Sequence, residues 1–398
     1  MTHAPIGNGK TVLISAFDNI LAHVGRPLLI AEALRDMGYR VVFAGGGSYF
    51  KLVEDYEFET YLLSSLDNET IIKSIRRTFL GVGLWTEERL DAFVQDELRL
   101  YEALKPDLVL HDTRPTIPIS ARVAGIPCVS VTNAYLTWYG TTSWRIFPPL
   151  LNPFLEPIRR YLAIRPHNRI RRKYGLPRTR PREMMYDGDL ILLADIPEYA
   201  PTKNLPDNYK YIGPLAWEPD SPMPPHLEGV NSNSPMIYFT LGSTGLPQLF
   251  QGVIEQLRGT EYQVVITTGW QIKPSNLEPL PTNIFVTTYL PGKKMMGRSD
   301  LVICQAGNGT TYQALGAGVP VIGMPTHGEQ WQNVSLLEAQ GAGIAIKPAD
   351  LNDIKPAIER ILDNGYYKKN AARLQKIIEG YNGPQNAAGL IQNFINEN

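Results

Sequence analysis

Residues Asp300–Gly343 read DLVICQAGNGTTYQALGAGVPVIGMPTHGEQWQNVSLLEAQGAG. An apolar strand runs out at Cys304, a tight loop follows over Gln305–Gly309, and a helix opens near Thr310. The small residues Ala306, Gly307 and Gly309 let backbone amides come close to a ligand. The start of the helix adds unsatisfied N–H groups and a partial positive charge. Such a loop suits a diphosphate, and the same pattern also fits a plain strand-to-helix turn. It is not the dinucleotide fingerprint, because Tyr312 stands where a third glycine is needed, and no Gly-Lys-Ser/Thr follows to make a P-loop. Gly318-Val319-Pro320 then ends the helix and starts a strand, Pro320–Met324. Its carboxyl end delivers Pro325 through Gln330. Glu329 beside Gln330 pairs a carboxylate with an amide. That pair can bond vicinal sugar hydroxyls or simply be solvated.

Outward from this segment, the same alternation recurs on both sides. Met236–Leu241, Gln263–Thr267 and Ile284–Thr287 are strand candidates before it. In the first half, Thr11–Phe17, Arg40–Ala44, Asp107–Leu110, Pro127–Val131 and Asp189–Ala194 read as buried strands, with helical spacing over His23–Met37 and Ile119–Ala124. Strand-helix-strand repetition predicts parallel sheets covered on both faces. Between the halves, Gly213–Pro235 is crowded with Pro, Ser and Asn and reads as a linker. The predicted fold is therefore α/β, with two Rossmann-like, doubly wound domains facing across a cleft. The first covers 1–212 and the second 236–380, joined by 213–235. An amphipathic C-terminal piece, 381–398, is expected to pack back on the first domain. Ligands in such sheets bind beyond the carboxyl ends of the strands.

Composition narrows the class. The 398 residues are 43% hydrophobic, enough for two cores, and 38 basic side chains balance 39 acidic ones, so nothing global points to nucleic acid. The two cysteines, Cys128 and Cys304, each lie beside an apolar run and read as buried free thiols rather than a disulfide. Neither a signal peptide in the first ten residues nor an apolar run of 18 is visible, so a cytoplasmic protein is expected.

The segment resembles the donor-binding signature of family 1 glycosyltransferases of the GT-B fold, in particular the bacterial macrolide and natural-product branch. That signature reads His-Gly-Gly-x-Gly-Thr, then Glu-Ala-Leu-x-x-Gly-Val-Pro, then Asp-Gln. Here Gln305–Thr310, Gln313–Pro320 and Glu329-Gln330 stand in those places. The likeness spans nearly the whole chain. It includes Ala22-His23-Val24, Pro106–Asp112, Gly213-Pro214, the serine of TLGS at Ser243, and Tyr289-Leu290-Pro291. It implies a hexose moved from a UDP- or TDP-sugar to a hydroxyl of a small apolar acceptor, such as a phenolic, terpenoid, natural product or lipid. It calls for no metal and no cofactor beyond the nucleotide sugar as co-substrate. Ser243, Thr244, Leu290, Gln305, Gly307, Asn308, Gly309, Thr310, Gln313, Glu329 and Gln330 would bind that donor. Trp85, Tyr135, Trp138 and Trp144 would bind the acceptor, and the aromatic run from Tyr135 to Phe147 also fits a core. Three positions depart from the pattern. Gln305 replaces the phosphate-contacting His, Gln313 the ribose-binding Glu, and Glu329 the Asp, which brings a deoxyribose donor such as a TDP-sugar alongside a UDP-sugar. An epimerase of the same shape, and a degenerate protein that only binds a sugar nucleotide, are the alternative readings.

Transfer to a hydroxyl needs a base, and imidazole suits that role near neutral pH. His23 follows the first strand and so faces the cleft of a doubly wound domain. By resemblance, Asp112 at the end of LVLHD would orient it and stabilise the imidazolium. Asp18 is a reserve candidate in the same loop, and His111 should point to the opposite face. Asp187-Gly188-Asp189 resembles a metal-binding Asp-x-Asp but precedes its strand instead of following it, so no metal site is assigned. Arg159–Arg182 is rich in Arg and Lys. It reads as a solvated face, a peripheral contact with an anionic membrane, or an RNA contact.

Overall fold

The computed structural model describes residues 9–67, 70, 83–142, 152–228, 230, 234–242 and 246–397. Thirteen strands form two all-parallel sheets among these residues. The first sheet holds β1 (Thr11–Ala16), β2 (Arg40–Gly45), β3 (Glu59–Leu62), β4 (Leu108–Asp112), β5 (Cys128–Thr132), β6 (Leu190–Leu193) and β7 (Tyr209–Tyr211), in the order β3-β2-β1-β4-β5-β6-β7. The second holds β8 (Met236–Thr240), β9 (Gln263–Thr267), β10 (Ile284–Thr287), β11 (Leu301–Cys304), β12 (Val321–Gly323) and β13 (Gly343–Ala345), in the order β10-β9-β8-β11-β12-β13. This is the two-domain α/β architecture read from the sequence.

The apolar runs that predicted strands are buried along their whole length in β1, β4, β5, β8 and β11, because helices cover both faces of a parallel sheet. Three strands escaped the sequence reading. β3, β7 and β13 are only three or four residues long and partly exposed.

Strand order reverses between β1 and β4 in the first sheet and between β8 and β11 in the second. Those are the points where a doubly wound sheet opens a crevice. The pairing sets Ala16 opposite Asp112 and Cys304 opposite Thr240. Chain segments leaving neighbouring strand ends therefore meet there.

The C-terminal helix Gly383–Glu397 crosses to the first domain. Its Ala387, Ala388 and Ile391 are fully buried in one cluster with Val12, Leu28, Ala31 and Leu34, and Asn386 Nδ2 donates to the Ile212 carbonyl at 2.9 Å. Burying Ile391 and Ile395 there contributes about 1.5–3 kcal/mol each. Gly383 sits so close to the linker that a Cβ would stand 2.4 Å from the Pro214 carbonyl oxygen. The linker itself is packed. Leu215 is buried, and Trp217 Nε1 donates to Tyr56 Oη at 2.9 Å.

Candidate active site

A cavity of about 280 Å³ lies between the two sheets, at the carboxyl ends of their strands. His23 is the third residue of the helix Leu21–Asp36, which follows β1 after a short turn. Its Nδ1 lies 2.7 Å from Asp112 Oδ1. The carboxylate only accepts, so this contact assigns the donor role to Nδ1.

Sequence reasoning missed Arg26, one turn further along the same helix. Its Nε donates to Asp112 Oδ2 at 2.9 Å and its Nη2 to Asp112 Oδ1 at 2.8 Å. Nη2 also abuts His23 Nδ1 at 2.9 Å. Thr113 adds a third donor to Oδ1 at 2.9 Å from a left-handed backbone, φ 58°. Burial pushes the Asp112 carboxyl up, but the charges of Arg26 and His23 and their hydrogen bonds outweigh it and hold it below the ordinary range. Asp112 is thus a fully buried carboxyl whose charged form is favoured beside the imidazole.

Arg26 also ties this pair to the other domain. Its Nη1 donates to Asn133 Oδ1 at 2.7 Å. Asn133 Nδ2 donates to Asp195 Oδ2 at 3.2 Å, and Asp195 Oδ1 accepts from Asn308 Nδ2 at 3.2 Å. The Ala134 amide donates to Asp195 Oδ2 at 2.7 Å. Burial lifts the Asp195 carboxyl to about 6, even against these donors.

On the second domain, the helix starts two residues earlier than the sequence suggests, at Asn308, with Gly307 as its N-cap and no side chain capping it. Asn308, Gly309 and Thr310 therefore form its first turn, with their N–H groups toward the cavity they line. The loop is held from behind. Ala306 adopts a left-handed φ of 62°, and its carbonyl accepts from Asn333 Nδ2 at 2.8 Å. Gln305 and Gln313 line the same cavity. Ser243 and Thr244 lie outside the described residues.

Glu329 and Gln330 follow the carboxyl end of β12. They open the helix Gly328–Ala339. Glu329 Oε1 accepts from Tyr135 Oη at 3.2 Å, across the domain boundary. Gln330 is nearly buried, and its Oε1 accepts from the Thr326 amide and hydroxyl at 2.7 and 3.0 Å, which leaves only its amide nitrogen for a ligand.

Two further groups, Trp270 and Glu218, were not singled out by the sequence reading. Trp270 is 67% exposed and stacks on Tyr289 with ring centroids 5.1 Å apart and planes 16° apart. Both rings line the cavity beside Leu290. Glu218, in the linker, puts its Oε2 3.4 Å from Gln313 Nε2 and 3.0 Å from the Lys293 amide.

The aromatic candidates for the acceptor divide. Trp85 is buried in a core cluster with Leu90 and Phe93, edge-on to Phe17, and does not line the cavity. Tyr135 is buried at the domain boundary. Trp138 faces a second cavity. Trp144 lies outside the described residues. Asp18 is corrected as a reserve base. Its Oδ2 accepts from the Gly46 and Gly47 amides at 2.6 and 2.7 Å and its Oδ1 from Ser65 Oγ at 2.5 Å, so it fastens the loop after β2. His111 turns away, its Nε2 on the Asp187 carbonyl at 2.8 Å. Asp187 pairs with Arg122 and Arg171, and Asp189 accepts from the Cys128 amide. Both cysteines are free and buried.

Residues 175–381 match the family model "UDP-glucoronosyl and UDP-glucosyl transferase". A PGL/p-HBAD biosynthesis glycosyltransferase of Mycobacterium tuberculosis H37Ra is 32% identical over 389 residues, covering 93% of this chain and 89% of that protein. A PGL/p-HBAD biosynthesis rhamnosyltransferase of Mycobacterium bovis BCG is 32% identical over 381 residues, covering 92% and 83%. Among solved structures, the glycosyltransferase VinC in complex with DTDP superposes with a TM-score of 0.74 at 15% identity, covering 98% of this chain and 100% of that one.

Proposed function

The chain belongs to the family of UDP-glucoronosyl and UDP-glucosyl transferases, and we propose that it moves a hexose from a UDP- or TDP-sugar to a hydroxyl of a small apolar acceptor, with inversion. It is a glycosyltransferase, and the family match leaves the epimerase reading without support. The observation that carries the finer reading is the placement of the His23–Asp112 pair and the uncapped N-terminus of Asn308–Gly316 on one cavity, from opposite domains.

In this reading the first-turn amides of Asn308–Thr310 receive the diphosphate, and the helix end offsets its charge without a metal. Trp270 on Tyr289 offers a flat face for the base. Glu218 and Gln313 offer an acceptor and a donor for the sugar attached to it. Glu329, with the Gln330 amide nitrogen, holds hexose hydroxyls. His23 Nε2 takes the proton of the acceptor hydroxyl while its oxygen attacks the anomeric carbon opposite the departing diphosphate. Asp112 stabilises the imidazolium as it forms.

The mycobacterial relatives are named for PGL/p-HBAD biosynthesis, which favours a phenolic or lipid-linked acceptor here. Among the described residues no helix is long and apolar enough to cross a membrane. A peripheral contact through Arg159–Arg182 would bring such an acceptor to the cleft.

The test is a donor-by-acceptor screen with UDP- and TDP-sugars, read by product mass and by acceptor-dependent release of nucleoside diphosphate. Product should form with a phenolic or lipid alcohol and survive EDTA. Donor hydrolysis without any acceptor adduct sinks the transfer reading, and loss of activity in EDTA restored by Mg²⁺ sinks the metal-free part.

A further inference from the structure

The helix Asn152–Lys173 carries one face with two chemistries. Phe154, Ile158, Tyr161, Arg165, Arg169 and Arg172 follow one another at spacings of three or four residues, so they share that face. Its first half is apolar and open to solvent, with Phe154 72%, Ile158 57% and Tyr161 63% exposed. Its second half is cationic and also exposed. Separation of the two characters along the axis, rather than around it, lets one end of a helix enter an apolar layer while the other meets its charged border.

The cationic end opens on a second cavity of about 610 Å³, walled by this helix, by Trp138 and by residues 178–181. Arg160, Arg165, Arg169, Arg172 and Arg178 line it, and among the described residues no carboxylate does. Arg160 is engaged by Glu156 and Arg169 by Glu87. Among the described residues, Arg165, Arg172 and Arg178 are in no ion pair. Arg160 and Arg182 both lie over the Trp138 ring, at 5.5 and 5.7 Å. Burial, followed by the charge of Arg160, pulls the Arg182 guanidinium down to about 10. Arginine presents the planar fork that phosphate oxygens match.

We propose that this face docks on a bilayer containing anionic phospholipid, with Phe154, Ile158 and Tyr161 entering the boundary between headgroups and acyl chains and the arginine cavity taking a lipid phosphate. The exposed aliphatic Ile158, which a nucleic acid offers nothing, favours a lipid surface, whereas Phe154 and Tyr161 would suit either, so RNA is an arm of the test. The inference rests on the reading of the acceptor as apolar or lipid-linked. Trp138 is three residues from Tyr135, which bonds Glu329 in the donor half of the site, so the docked face borders the cleft.

The test is co-sedimentation with vesicles of neutral phosphatidylcholine and of phosphatidylcholine with phosphatidylglycerol. Each unpaired cation near such a surface is worth about 1 kcal/mol, so three give roughly 10²-fold tighter binding to the anionic vesicles. The triple variant Arg165→Glu, Arg172→Glu, Arg178→Glu should lose that preference. The double variant Phe154→Ser, Ile158→Ser should weaken binding to both vesicles. Turnover of a water-soluble phenolic acceptor, measured on the same proteins, should not change. Equal binding of the wild type to both vesicles, an undiminished preference in the triple variant, or retention on single-stranded RNA but not on vesicles overturns the proposal. Absence of turnover on every acceptor in the wild type would instead strike the transferase reading and leave the vesicle result standing.

Discussion

Arg26 grips Asp112 with two parallel hydrogen bonds, Nε to Oδ2 at 2.9 Å and Nη2 to Oδ1 at 2.8 Å, around a carboxylate with no exposed surface. A buried pair of this kind gives little net stability as a pair, but breaking it strands a charge. Arg26→Met should cost about 3–5 kcal/mol of folding stability. Adding Asp112→Asn removes the stranded charge and should recover most of that loss. Turnover should stay low in the double variant, because an amide offers the imidazolium of His23 no charge. Urea midpoints and turnover of the three proteins check this. A single Arg26→Met variant that unfolds at the wild-type midpoint contradicts it.

His23 lines the cavity with the buried Asp112 carboxylate 2.7 Å from its Nδ1. Loss of a general base costs about 10²–10⁴-fold in rate. His23→Ala should lower turnover by that order and leave donor affinity nearly unchanged, since the proposed donor groups lie on the other domain and the linker. Asp112→Asn should cause a smaller loss. Near-native turnover of His23→Ala on an alcohol acceptor would refute the assignment, and Asp18 is no substitute, being spent on the Gly46 and Gly47 amides.

What was legible in the chain follows from how each feature is encoded. β1, β4, β8 and β11 announce themselves as unbroken apolar runs because both their faces are covered. His23 and Asp112 could be paired on paper once each was placed at the end of a strand. Arg26 could not, because it reads as one charge in an otherwise apolar helical face. Only the β1–β4 register brings it to a carboxylate 86 residues away. Glu218 hid in a Pro-rich segment whose composition says linker, and composition does not record that the linker is packed into the cleft. Trp85 and Trp138 failed in the opposite direction. Aromatic residues near a cleft serve core and pocket alike, and only the packing separates the two.

Glu329 faces the cavity from the first turn of its helix and is held by Tyr135 across the domain boundary. A hydrogen bond from a sugar hydroxyl to a carboxylate is worth about 1.5–3 kcal/mol, or roughly 10–10²-fold in affinity. Glu329→Ala should weaken a nucleotide sugar by that factor while leaving the free nucleoside diphosphate unaffected in calorimetry. Equal weakening of both ligands would remove Glu329 from the sugar subsite.

In the proposed donor site Trp270 would take the base and Glu218 the sugar of the nucleotide. Stacking of a base on an aromatic ring contributes about 1–3 kcal/mol. Trp270→Ala should therefore weaken UDP and TDP alike, by roughly 5–10²-fold. Glu218→Ala should weaken UDP more than TDP, because the deoxyribose of TDP lacks the 2′-hydroxyl that a carboxylate would accept from. If Glu218→Ala affects the two diphosphates equally, the carboxylate only fixes Gln313 and Lys293.

Asp195 couples the domains and gives the protein a pH signature. Burial holds its carboxyl at about 6, above the ordinary value of 3.8, although the Ala134 amide, Tyr312, Asn133 and Asn308 all donate toward it. Between those two values the folded protein keeps a proton that the unfolded chain has released. Stability follows the difference in bound protons, so the contribution of Asp195 falls as pH rises through this window. Above it, the contribution settles at a penalty of about 3 kcal/mol relative to acid conditions. Asp195→Asn binds no proton in either state. Asp112, whose carboxyl is shifted the other way, titrates in both proteins and cancels in their difference. The stability of the wild type minus that of Asp195→Asn should therefore decline between about pH 4 and pH 6 and stay level above, as read from urea midpoints across that range. A difference that is flat with pH, or that rises, would show that the four donors, not burial, govern this carboxylate.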